Sequence, residues 1–136
     1  MSTSRKVFQD ISLAASTSPV VIFDLDSTLF DVSPRTQAIL DTFLKLPHVQ
    51  EQHPKEYSLL RTVQIQSGDW GLRQPLEKMG FQSTPDFHKT LREYWRQHFF
   101  SSQFLHHDQP YVGAIEYVTA LQDIGAQIYY LTGRDQ

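Results

Sequence analysis

One unbroken apolar run, Val20-Val21-Ile22-Phe23, is introduced by Pro19 and stopped by Asp24. A short run rich in β-branched residues predicts a strand buried on both faces, as in a parallel sheet. A second run, Ile128-Tyr129-Tyr130-Leu131, stops at Thr132-Gly133. Ahead of it, Val112, Ile115, Val118, Leu121 and Ile124 follow helical spacing, and Gly125 stands where that helix should end. A helix leading into a strand parallel to the first is the second half of a βαβ unit.

The span between the strands is too long for a simple crossover. Asp26 and Thr132 are separated by 105 residues, whereas a whole βαβ unit needs roughly 30. An insertion of about 75 residues is implied by that difference, and its pattern is helical. Ser33-Pro34 reads as an N-cap followed by proline at the first helical position, with Pro47 ending that helix. Leu59, Leu60 and Val63 predict a second helix. Leu72, Leu76 and Met79 before Gly80 predict a third, with Pro75 in its first turn. Thr84-Pro85 caps a fourth, whose stripe is Phe87, Leu91, Tyr94, Trp95 and His98. The leading stretch from Val7 to Ala15 suits one short helix before the first strand.

The chain has 136 residues, 40% of them apolar, with 17 aromatic side chains, enough for a core. Its net charge of −3 gives no electrostatic footprint for nucleic acid. With no cysteine, disulfide scaffolds, zinc–thiolate sites and thiol catalysis are excluded. No apolar run approaches the ~18 residues of a membrane span. The polar start from Met1 to Lys6 has no apolar segment behind it, so the expected location is cytoplasmic.

Asp24, Asp26 and Thr132 stand just past the carboxyl ends of the two predicted strands, the edge at which open α/β sheets bind ligands. Two carboxylates two residues apart call for a cation, and a hard divalent ion with oxygen ligands, Mg²⁺ above all, is the simplest. With charge so compensated, one carboxylate can attack a phosphoryl group and the other can move the proton. The small residues Ser27, Thr28 and Gly133 should leave backbone N–H groups open to an anion. An Asp-x-Asp alone more often just ends a strand and starts a turn.

The wider sequence favours the chemical reading. Phe23-Asp24-Leu25-Asp26-Ser27-Thr28-Leu29 resembles the first motif of the haloacid dehalogenase-like (HAD) hydrolase superfamily. Leu131-Thr132-Gly133-Arg134 is similar to its second motif, and Pro110 to Glu116, running on to Gly125, is similar to the helix preceding that motif. The resemblance covers about residues 19–34 and 108–135. It implies an α/β fold, a Rossmann-like core with a partial parallel sheet over residues 1–32 and 109–136, interrupted by a helical cap over residues 33–108. It further implies Asp24 as nucleophile, Asp26 as general acid/base, both as metal ligands for Mg²⁺, and Thr132 with Gly133 as the phosphate-binding pair. Asp26 favours phosphate-ester chemistry over dehalogenation, because dehalogenases resemble this pattern without the second Asp. Ser27 stands where the family more usually has Gly. Arg134 and Asp135 are expected to brace the loop.

The family draws a Lys or Arg and one or two further acids from motifs downstream of the second, whereas here all five lysines precede it. The expectation is therefore the N-terminal portion of a phosphatase-type hydrolase of a small phosphorylated metabolite, inactive alone. The competing class is a non-catalytic phosphate- or partner-binding domain. A further expectation is self-association through an open strand edge. His106-His107-Asp108 reads as polar loop at the return from the insertion rather than as a metal site. His48, His53, His88 and His98 form no metal-ligand pairing, and the Phe87, Leu91, Trp95 stripe reads as packing. Arg73 and Lys78 are expected on a solvated face, and Asp31 in the hinge.

Overall fold

The computed structural model describes residues 3–14 and 17–133. They form two compact units: one takes the chain up to Phe30 together with Pro110–Thr132, the other is Asp31–Gln109. Where the chain passes from one to the other and back, Phe30–Asp31 (β2) and Gln109–Pro110 (β3) pair as a two-stranded sheet.

The first unit is α/β. Helix α1 (Thr3–Leu13) precedes strand β1 (Val20–Asp24), and helix α7 (Ala114–Asp123) leads into strand β4 (Gln127–Leu131). β1 and β4 are parallel, in a register that runs from Val20 opposite Gln127 to Asp24 opposite Leu131. The predicted parallel pair is present, but not the burial on both faces. Val21 and Phe23 are half-buried, and the Phe23 ring meets Tyr117 of α7 edge-on at 6.2 Å. Val20 and Ile22 point the other way and are exposed, Ile22 by 65%. A strand reads as doubly buried only when helices cover both faces, and among the described residues of this unit they cover one.

Helix α7 is shorter than its stripe predicted. It starts after Gly113, which takes φ 83°, so Val112 lies outside it and is fully exposed. Ile115 is exposed as well, and only Val118 and Leu121 are buried. Gly125, with φ 89°, ends the turn as expected. Helix α1 begins four residues before Val7, and Ala15 lies outside the described residues.

The second unit is helical: α2 (Ser33–Leu44), α3 (Pro47–Gln52), α4 (Pro54–Leu60), α5 (Arg73–Lys78), α6 (Pro85–Phe99) and a short 3₁₀ turn at Leu105–His107. Its core gathers Leu40, Phe43 and Leu44 of α2 with Leu76 of α5 and Phe87 and Leu91 of α6. Phe43 meets Phe87 edge-on at 6.0 Å. Pro47 opens α3 instead of simply closing α2, since proline suits the first turn of a helix. Thr84 caps α6 as predicted, its hydroxyl oxygen accepting from the Phe87 amide at 3.2 Å.

Ser33 is not the cap of α2. It lies inside the helix, and both its amide (2.9 Å) and its hydroxyl (2.7 Å) donate to Asp31 Oδ1. Burial opposes ionisation of Asp31, but these two bonds and one from the Ser67 hydroxyl outweigh it and hold the carboxyl below its ordinary value. Asp31 therefore anchors the start of α2.

Candidate functional site

Because β1 and β4 are parallel and Asp24 lies opposite Leu131, both strands end at the same edge. Thr132 follows Leu131, so the structure brings the ends that carry Asp24 and Thr132 side by side at a strand spacing of about 4.8 Å. Asp24 and Thr132 are exposed, and Asp26 is half-buried in the turn that follows. Gly133 comes directly after Thr132, and nothing lies within 4 Å of where a Cβ would stand on it. Arg134 and Asp135 lie outside the described residues.

The turn after β1 is closed by its own backbone. Phe30 N–H donates to Leu25 O at 3.0 Å, Ser27 N–H donates to Phe30 O at 2.8 Å, and Asp26 forms a lone β-bridge with Phe30. Tyr111 N–H ties the turn to the returning chain through Leu29 O at 2.9 Å. The amides of Ser27 and Thr28 are thus engaged within the turn, Thr28 donating to Leu25 O at 3.3 Å. They are not open to an anion as their small size suggested, because a tight turn satisfies its own donors first. Ser27 takes φ 61°, the left-handed region that favours glycine.

Thr28 contributes by its side chain instead. Its hydroxyl donates to Asp24 Oδ2 at 3.0 Å. That bond fixes the rotation of the carboxylate and leaves Oδ1 without a hydrogen bond among the described residues. Sequence reasoning treated Thr28 only as a small residue. The signal it missed is the four-residue spacing, which lets a turn bring position 28 back over position 24.

The candidate donor set at this edge is all oxygen: the carboxylates of Asp24, which is exposed, and of Asp26, which is half-buried. It fits Mg²⁺, which takes one or two carboxylates and completes its octahedron with water and phosphate oxygens. No group of three His, Asp or Glu side chains is gathered among the described residues.

The other candidates resolve as structural. Asp108 pairs with Arg35 at 3.0 Å, so the His106-His107-Asp108 segment has its carboxylate engaged. Arg35 is wholly buried, donates to Phe99 O at 3.0 Å and stands 3.9 Å over the Phe99 ring. Arg73 pairs with Glu77 at 2.7 Å, and Lys78 pairs with the buried Asp69. His98 stacks on Tyr94 at 4.1 Å, and Phe87 and Leu91 are core. No helix among the described residues is long and apolar enough to cross a membrane.

No curated protein and no solved structure matches the chain. The family model for haloacid dehalogenase-like hydrolase matches residues 19–136, from the proline before β1 through both strand ends and everything between them. That span holds the Asp-x-Asp and the Thr-Gly that the parallel register places at one sheet edge, and the chain belongs to the haloacid dehalogenase-like hydrolase family.

Proposed function

We propose that the protein is a Mg²⁺-dependent phosphatase-type hydrolase of a small phosphorylated metabolite, acting through a phosphorylated Asp24. The observation that carries this reading is the register of β1 against β4, which sets the Asp24 and Thr132 strand ends side by side. Asp24, with Oδ2 held by Thr28, attacks phosphorus through Oδ1. The bond from phosphorus to the ester oxygen breaks, and the departing oxygen takes the proton of the Asp26 carboxylic acid. Asp26, now a carboxylate, removes a proton from water as the water oxygen attacks the phosphorus of the aspartyl-phosphate. Inorganic phosphate leaves, and Asp24 is regenerated. Thr132 donates its hydroxyl to a phosphoryl oxygen. Mg²⁺, held by Asp24 and Asp26, would neutralise charge on the phosphoryl oxygens.

A second reading has its own observation. No group of three His, Asp or Glu side chains is gathered among the described residues, which favours a domain that binds phosphate without turnover. A screen of phosphate esters with Mg²⁺ separates the two. The catalytic reading expects hydrolysis that stops on adding EDTA, is abolished in Asp24→Asn, and falls less completely in Asp26→Asn. Binding without hydrolysis, undiminished in Asp24→Asn, would establish the second reading instead.

A further inference from the structure

The helical unit contains a cavity of about 580 Å³, within the ~300–1,000 Å³ range of small-molecule sites. Its walls come from facing helices and the loop before α5. His88, Arg92 and Trp95 lie four and seven residues apart, on one face of α6. Phe81 is buried, with its ring edge-on to His88 at 5.3 Å. Gly71 takes φ 67°, and a Cβ there would stand 3.1 Å from the Trp95 ring, so a larger residue would be strained in its backbone and tight against the indole. Trp70 stands on the wall and is 76% exposed. A large apolar ring held in water beside a concave apolar surface marks a contact surface for a ligand.

Charge selects the kind of ligand. On α5 the cation Arg73 is neutralised by Glu77, whereas Arg92 has no ion-pair partner among the described residues. Among the described residues, the lining therefore carries one cation without an ion-pair partner, beside aromatic rings. We propose that this cavity binds a planar aromatic group bearing an anionic substituent, its ring against Trp70 and Trp95 and its charge at Arg92. The site lies wholly within the helical unit and does not rest on the phosphatase reading.

The two tryptophans lining the cavity are the only ones in the chain, so their indole N–H signals report on it directly by NMR. Titration of the ¹⁵N-labelled chain with 2-naphthoate should shift both signals saturably. Two probes test the chemistry: 2-naphthamide, with the same ring and no charge, and octanoate, with the same charge and no ring. Both should bind roughly tenfold more weakly or worse, octanoate by loss of the ring contacts and 2-naphthamide by loss of a charged contact worth about that factor, a loss shared by 2-naphthoate on Arg92→Ala. Arg92 is exposed, so this variant keeps the core intact, and Trp70→Ala, also at an exposed position, should weaken binding too. The proposal is overturned if 2-naphthoate gives no saturable shift at millimolar concentration, if Arg92→Ala binds it equally well, or if octanoate binds as tightly.

Discussion

Ser27 shows how one residue sets the geometry of the site. Its amide closes the turn that carries Asp26, and to do so it adopts φ 61°. For an L-residue that conformation costs about 1–2 kcal/mol, a cost glycine escapes. Ser27→Gly should therefore raise the stability of the first unit by about 1 kcal/mol, read as a higher urea midpoint at unchanged slope. A lower midpoint would show that the serine side chain contributes more than its backbone strain takes away. Thr28 works differently, through one hydroxyl bond at 3.0 Å to Asp24. Both residues sit in the motif that was legible in the sequence, but their roles were not. Size and polarity suggested open amides, whereas the turn engages those amides internally and uses the threonine oxygen instead.

Among the elements, the ends of the helical unit are fixed by one half-buried and one buried polar contact. Asp31 receives the start of α2 through Ser33, and Arg35 two residues on reaches Asp108 just before β3. Arg35 is 0% exposed and the Asp108 side chain 8%, so solvent screening offers little relief if one partner is lost. Asp108→Ala should destabilise the protein by about 3–5 kcal/mol, because it strands a buried guanidinium. Glu93→Ala, which breaks the exposed 3.9 Å pair with Lys89, should cost about 0.5 kcal/mol or less. Equal effects in urea denaturation would contradict the burial assigned to Arg35. The helices themselves were readable from apolar spacing and prolines, and Thr84 from its capping position. The Arg35–Asp108 pair was not, since its partners stand 73 positions apart and nothing local marks an arginine that will be buried. The stripe beginning at Val112 overreached for a related reason. Apolar spacing records which residues suit a helix face, but Gly113 at φ 83° starts the helix after Val112.

At the scale of the whole molecule, the two units differ in how well their apolar surface is covered. The helical unit closes around Leu40, Phe43, Phe87 and Leu91, all buried. In the other, Val20, Ile22, Tyr129 and Leu131 leave one face of the parallel pair exposed, and each strand has a single neighbour among the described residues. Such edges and faces pair readily with another chain. The isolated chain should therefore self-associate, with a light-scattering mass above 15.8 kDa that falls to the monomer value in Ile22→Lys. A wild-type chain that stays monomeric at high micromolar concentration would contradict this. The central proposal is chemical: Asp24, at the sheet edge, is phosphorylated and dephosphorylated in each turnover. Its most direct test is to quench the protein during turnover of a phosphate ester with Mg²⁺, reduce it with borohydride, and sequence the tryptic peptides by mass spectrometry. Acyl-phosphates are reduced to the alcohol while free carboxylates are not, so the account predicts conversion of residue 24 to homoserine, dependent on both substrate and Mg²⁺. An unmodified Asp24 during sustained turnover, or reduction at a different residue, would contradict it.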